Sequence, residues 1–120
     1  MSSLIFKKPI NASGNFATWI NRLKNRSGVY VIRGNVSKKI LYIGESHTGA
    51  LAKTIKRHFY NWEDEPREHF VCEKTDVEIA IKIVPANNAK AAQDNLIAQY
   101  KPKYNVQANQ NQSWYDKPIF

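Results

Sequence analysis

The fold is decided by the stretch GVYVIRGNVSKKILYIGES, Gly28 to Ser46. Its first part, GVYVIRG, is short and rich in β-branched residues, and KKILYIGES forms a second such run. The turn-forming residues Gly34, Asn35 and Ser37 stand between the two runs. Two extended runs separated by a short polar loop predict a β-hairpin.

A third strand is predicted further along the chain. The segment DVEIAIKIVPA, residues 76–86, alternates apolar and polar positions. One side carries Val77, Ile79, Ile81 and Ile83, and the other carries Glu78 and Lys82. This period of two predicts a strand with one buried face and one partly wet face.

The stretch NAKAAQDNLIAQYKPKYN, Asn88 to Asn105, predicts a helix that is stopped by Pro102. At about 100° per residue, one face collects the apolar side chains, and Gln93 falls near the middle of that face. Those apolar residues are Ala89, Ala92, Leu96, Ile97 and Tyr100. Asp94, the one carboxylate in the stretch, points well away. A neutral amide therefore occupies a position where an apolar residue is expected.

Two more helices are predicted upstream. NFATWINRLKNRS carries Phe16, Trp19, Ile20 and Leu23 at helical spacing, and Ala50 to Trp62 places Leu51, Ile55 and Phe59 on one side. The order is helix, strand, strand, helix, strand, helix. We therefore expect one α+β domain over residues 1–120: a small three-stranded antiparallel sheet flanked by helices, with the N-terminal helix as an extra.

Charge and composition limit the classes of partner that the protein is expected to bind. Eighteen Lys and Arg residues against ten Asp and Glu give a net charge of +8 on 120 residues. Such a surface favours a phosphate backbone as partner, with acidic membranes or mere solubility as the other interpretations. No apolar run is long enough to span a bilayer, and the N-terminus does not resemble a signal peptide. The single cysteine, Cys72, fits a reducing cytoplasm and predicts a buried, unreactive thiol.

Several kinds of site are poorly supported. His47, His58 and His69 are too far apart in sequence for zinc-ligand spacing, and YIGESHTG lacks both phosphate-loop patterns. The acidic run EDEPRE surrounds Pro66 and indicates a solvated loop better than a metal site. What remains is a pair of tyrosines on adjacent strands, Tyr30 and Tyr42, and a basic helix carrying KRHF.

This arrangement resembles the GIY-YIG nucleases. GVY and, twelve residues later, YIG match the paired signature of that family. Arg57 follows on the next helix in TIKRHF, then an alternating strand, then a helix ending in LIAQYKPKYN, which is similar to the family's close. The resemblance covers about residues 27–106, and four elements in order make it specific.

The resemblance implies an endonuclease that uses one divalent ion, Mg²⁺ or Mn²⁺, to hydrolyse a phosphodiester bond in double-stranded or branched DNA, with RNA as an alternative. Either Tyr30 or Tyr42 would act as general base, which requires a pKa below the usual tyrosine value of about 10. Arg57 would stabilise the charge on the phosphate. His58 or Lys53 would donate a proton or contact phosphate.

Other residues receive supporting roles from the same resemblance. Gly44 and Asn105 match structural positions near the site. The expected nucleic-acid contacts are basic residues on the second helix, Lys53, Lys56 and Arg57, and around the end of the last helix, Lys101 and Lys103. Because the chain leaves little room for a separate recognition domain, specificity is expected to be low, to come from short insertions, or to come from a homodimer.

Gln93 stands where the family has its metal-binding glutamate. A neutral amide oxygen is a weak ligand for a hard dication, so we expect activity to be lost or strongly impaired. Either the natural protein lacks the acid, or glutamate has been exchanged deliberately. Two other functions stay open: a non-catalytic nucleic-acid-binding module, and an interaction domain that docks an acidic protein.

Overall fold

The sheet is organised around its first strand. The computed structural model describes residues 4–59 and 72–102. It contains β1 (Gly28–Gly34), β2 (Ile40–Ser46) and β3 (Val77–Ile83), which pair antiparallel in the order β2-β1-β3. The predicted hairpin, the third strand and the α+β class with a three-stranded antiparallel sheet are confirmed.

The register of β1 determines which side chains meet. Tyr30 lies opposite Gly44 on β2 and opposite Ile81 on β3. Residues 28–32 of this strand are all buried, because β1 has a neighbour on each side and a covered surface on each face. A register shift after Ile32 leaves Leu41 as an extra residue in β2.

Within residues 4–59 and 72–102, three helices accompany the sheet: α1 (Thr18–Asn21), α2 (Leu51–Lys56) and α3 (Ala86–Tyr100). A short 3-10 turn, Arg57–Phe59, continues α2. The extra N-terminal helix is present but has only four residues, shorter than the periodicity predicts. It has no side-chain cap at Ala17, and beyond it Asn25 adopts a left-handed conformation with φ 65°, which ends any helix.

Each face of the sheet has its own core. The first contains side chains of β1 and β3 with α1 and α2: Ile20, Leu23, Tyr30, Ile32, Leu51, Ala52, Ile55, Val77 and Ile79. The second contains side chains of all three strands with α3: Val29, Val31, Ile43, Ala80 and Ile97. Alternating residues of β1 therefore enter different cores, as the pleat of a strand requires.

The apolar face of α3 is only partly as predicted. Ala89 and Ile97 are buried, whereas Tyr100 is 40% exposed and was wrongly placed in the core. Lys101 takes a left-handed conformation (φ 48°) and its N–H donates to the Ile97 carbonyl, so the chain turns away and Pro102 is buried instead. Ile83 is likewise 43% exposed, because it lies at the last position of β3.

The N-terminal segment pairs with the outer edge of β3. Lys7 and Ile79 exchange backbone hydrogen bonds of 3.0 and 2.8 Å. Leu4 and Phe6 extend this contact onto the second core. Within the described ranges, no helix has the length and apolarity needed to cross a membrane. The EDEPRE run, Lys103, Asn105 and the C-terminal tail lie outside these ranges.

Candidate active site

A buried hydrogen bond joins the first signature tyrosine to the 3-10 turn after α2. Tyr30 Oη lies 2.6 Å from His58 Nε2, although the two residues are 28 positions apart in sequence. Tyr30 is 1% exposed and His58 is 5% exposed. The His58 carbonyl accepts a 2.8 Å hydrogen bond from the Cys72 N–H, which holds the turn from the other side. A histidine that the sequence offered only as an assistant thus lies at the centre of the cluster.

Tyr42 completes the cluster on the same face of the sheet. Its ring centroid lies 4.8 Å from that of His58 and 6.3 Å from that of Tyr30. Tyr42 lies opposite Ile32, and Tyr30 opposite Gly44, so the two tyrosines sit diagonally across adjacent strands. Tyr42 is half-buried, and of the two signature tyrosines it is the one with more solvent contact.

The glycines of the two motifs, Gly28 of GVY and Gly44 of YIG, each allow a neighbouring group to pack closely against the backbone. A Cβ on Gly44 would collide with the hydroxyl and the ring of Tyr30, so only glycine lets that ring lie across β2. A Cβ on Gly28 would collide with the carbonyl oxygen of Lys82 on β3. Gly44 therefore makes room for the tyrosine of the other strand, and Gly28 makes room for a neighbouring backbone.

The charge environment of Tyr30 opposes ionisation. Burial raises the pKa of Tyr30 well above its ordinary value, and the neighbouring Tyr42 and Glu45 raise this pKa further. The positive charge of Arg57 lowers the pKa of Tyr30 but does not outweigh the burial. Tyr30 is therefore a neutral phenol at neutral pH, which differs from the low pKa that a free phenolate base would need.

Glu45 is a site neighbour that sequence reasoning missed. It is half-buried, and its Oε1 and Oε2 lie 3.1 and 3.2 Å from His47 Nδ1. Its negative charge acts on Tyr30 although strand alternation places it on the other face of β2, opposite Val29. The position of Glu45 directly after YIG was the sequence signal that could have identified it. Strand periodicity alone does not show that the charge of Glu45 will affect Tyr30 on the other face of the sheet.

The predicted nucleic-acid contacts fall into separate groups. Lys53, Lys56 and Arg57 line one cavity of about 580 Å³ between α2 and the chain following α1. Lys101 is exposed at the end of α3, which packs on the opposite face of the sheet. Lys103 lies outside the described residues.

Gln93 is not joined to the tyrosine–histidine cluster. It is half-buried on α3, and its Nε2 donates a long hydrogen bond of 3.4 Å to Asp94 Oδ1. α2 and α3 cover opposite faces, and both contact the edge strand β2. In residues 4–59 and 72–102, no group of three or more His, Cys, Asp or Glu side chains could hold a metal. Binding of a divalent ion therefore stays a prediction.

Comparisons with known proteins assign no family. The observations that bear on function are the order of the motifs and the contacts of Tyr30 with His58 and Gly44. A search of protein families found no family model that matches the chain, and a search of curated proteins found no match either.

Proposed function

We propose that this chain is an endonuclease of the GIY-YIG type that hydrolyses phosphodiester bonds in DNA, with activity weakened by Gln93. The observation that carries the proposal is the 2.6 Å contact between Tyr30 Oη and His58 Nε2, made by a signature tyrosine. An ordinary core tyrosine could be satisfied by any acceptor. Here the partner is a histidine, a residue that can donate or accept a proton, and it follows the arginine of the motif.

The tyrosine and histidine act as one proton-handling pair. When water attacks phosphorus, one of its protons passes to Tyr30 Oη while the phenol proton passes to His58 Nε2, with His58 in the tautomer that leaves Nε2 unprotonated. The bond from phosphorus to the leaving oxygen breaks with its electron pair on that oxygen, which then takes a proton from solvent. This relay needs no free phenolate, so the raised pKa of Tyr30 does not prevent it. General base catalysis of this kind contributes about 10²–10⁴-fold to a rate.

Arg57 and Tyr42 are the site residues through which a substrate would reach the Tyr30–His58 pair. Both are half-buried, whereas Tyr30 and His58 are almost completely covered. The guanidinium of Arg57 can hold two phosphate oxygens at once and stabilise the charge that develops on them, an effect worth about 10²–10³-fold in rate. Its influence on the pKa of Tyr30 supports a position close to the reacting atoms.

The divalent ion belongs to the proposal but not to the steps described. When bound, it would polarise the phosphate and assist the leaving oxygen. Where the family has a glutamate carboxylate to bind the ion, Gln93 offers only a neutral amide oxygen, so activity is expected to be weak. The proposal also includes a cytoplasmic location, where the one cysteine of the chain stays reduced.

The test is a cleavage assay on plasmid DNA, single-stranded DNA and RNA that compares this chain with Gln93→Glu in Mg²⁺ and in Mn²⁺. We expect the variant to nick DNA, and Tyr30→Phe, His58→Ala or Arg57→Ala added to it to lower the rate by about 10²-fold or more. Gln99→Glu is the matched control, because it makes the same exchange at an exposed position of α3. A folded Gln93→Glu variant that cuts neither DNA nor RNA would refute the proposal.

A second candidate is a non-catalytic nucleic-acid-binding module. It is favoured by Gln93, which stands where the family has its metal-binding glutamate. Its binding would weaken steeply with salt, as phosphate contacts do. Gln93→Glu would then confer no cleavage and would weaken binding by adding negative charge, which separates the two functions in one pair of assays.

A further inference from the structure

The cavity beside Arg57 is formed in part by residues that precede the motifs. Its volume is about 580 Å³, and it lies between the residues that follow α1 and the helix α2. Asn21, Lys24 and Asn25 form one wall, and all three precede the region that resembles the nucleases. Lys53, Lys56 and Arg57 form the other wall. We call this cavity the 21–57 cleft.

Hydrogen bonds across the 21–57 cleft hold its walls in place. Lys56 Nζ donates to Asn21 Oδ1 at 2.7 Å, and the Leu51 N–H donates to the Arg26 carbonyl at 3.1 Å. At the base, the Gly49 N–H donates to Ser27 Oγ at 3.0 Å. These contacts join segments more than 20 residues apart, so the cleft is formed before any ligand arrives.

The cationic side chains that line the cleft favour an anion as ligand. Four of its lining residues are cationic, namely Lys24, Lys53, Lys56 and Arg57. Of the described residues that line it, none is acidic. Phosphate is the anion that such a set of Lys and Arg side chains holds best.

The size and the remaining lining indicate more than a phosphate. A volume of about 580 Å³ lies in the range of pockets that enclose a small organic ligand. Gly49, Ala50 and Ala52 provide a floor of small apolar groups. Asn21 and Asn25 contribute amides, which can donate to and accept from the edge of a base. A flat group with polar edges and an attached phosphate, which is a nucleotide, fits this combination.

We propose that the 21–57 cleft binds one unpaired nucleotide of a nucleic-acid strand. Arg57 belongs both to this cleft and to the surroundings of Tyr30, so the bound nucleotide would neighbour the bond that is cut. A base that is paired inside a duplex cannot enter a cavity. The preferred substrate is therefore single-stranded or carries a single-stranded overhang. This inference rests on the proposed function for the position of the cut, but not for the binding itself.

The test is fluorescence anisotropy of the full chain with three labelled DNA probes: a single strand, a duplex with a single-stranded overhang, and a blunt duplex. Ala50→Leu fills the cleft without changing charge, and it should weaken binding of the first two probes about tenfold while leaving the blunt duplex unchanged. Lys24→Ala should weaken them about three- to tenfold, as loss of one phosphate contact does. Lys90→Ala, an exposed lysine on α3, is the matched control and should have no effect on this preference.

Two results would overturn the inference: no preference of the parent chain for unpaired DNA, or equal effects of Ala50→Leu and Lys24→Ala on all three probes. Lys24 is exposed, so its variant gives a result even if Ala50→Leu does not fold. A mononucleotide should displace the single-stranded probe from the cleft, whereas inorganic phosphate should not. Displacement by inorganic phosphate but not by the mononucleotide would mean that the cleft is only a phosphate site.

If Gln93→Glu cuts nothing while the binding preference persists, the nuclease proposal fails and the proposal for the cleft is retained. If it cuts and the preference is absent, the cleft alone fails.

Discussion

Replacing Gly44 with alanine should disturb the site more than its size suggests. The new Cβ would meet the Tyr30 hydroxyl and ring, and Tyr30 cannot move aside because it is 1% exposed and bonded to His58. Overpacking of a core costs about 1–3 kcal/mol, and weakening one buried hydrogen bond costs about 0.5–1.5 kcal/mol. Lower entropy of the unfolded chain returns about 0.4–1 kcal/mol. We therefore expect the free energy of unfolding to fall by about 2 kcal/mol.

Urea unfolding followed by tryptophan fluorescence measures this loss. Gly34→Ala is the matched control, because its Cβ would meet chiefly the Ser37 hydroxyl, the end of a side chain that can rotate. Its cost should stay below about 1 kcal/mol. In the double variant with Tyr30→Phe, the nearest colliding atom is gone and the ring is released from His58. The two losses should then be less than additive by about 0.5 kcal/mol or more. An unchanged stability of Gly44→Ala, or strictly additive losses, would refute this account of the glycine.

Three further predictions concern titrating groups. Tyr30 has a raised pKa in the folded state, so stability is intact below about pH 10 and then falls by about 1.4 kcal/mol per pH unit as the unfolded chain alone ionises. Tyr30→Phe should flatten this decline in urea unfolding between pH 9 and about pH 11, and an unchanged slope would contradict the burial argument. Burial raises the pKa of the Cys72 thiol to about 12, so its alkylation at pH 8 should be at least about a hundredfold slower than that of a free thiol. Labelling as fast as glutathione would count against this packing. The Arg33 and Lys38 side chains lower the pKa of Glu78, so its stabilising effect is present above the unfolded pKa of about 4.3 and is lost as pH falls through the lower folded value. Glu78→Gln should reduce the acid sensitivity of unfolding, and equal sensitivity in both proteins would contradict the ion pair.

The strands were predictable because their signals are local. β-branched runs, alternation in residues 77–83 and turn residues around Asn35 each act within a few positions, and the observed bounds follow them. The N-terminal helix was overestimated for a different reason. Trp19 and Leu23 do face the core, but the segment reaches it through turns and a left-handed Asn25 rather than through continuous helix. Periodicity therefore predicts which side chains are buried more accurately than it predicts the backbone conformation of the segment that carries them.

The proximity of Tyr30, Tyr42 and His58 could be anticipated from the sequence, but their burial and charge environment could not. The motifs named Tyr30, Tyr42, Arg57 and His58, and the structure gathers the two tyrosines and the histidine into one cluster. The depth of Tyr30 could not be foreseen, because burial depends on helices that are distant in sequence. Its raised pKa reverses the direction that a phenolate base requires. Glu45 escaped notice for the same reason, since its effect on Tyr30 depends on the thickness and pairing of the sheet.

The central position of β1 also has a consequence for the order in which the chain folds. Its pairing with β2 closes only the loop at residues 35–39, whereas the Arg33–Glu78 pair on β3 closes a span of 45 residues. Short loops close at a lower entropic cost, so the hairpin should form in the transition state and β3 should dock later. In stopped-flow experiments, Ile43→Val should therefore slow folding, and Ala80→Gly should mainly accelerate unfolding. The strand that carries Tyr30 would then be in place before the strand that completes its burial.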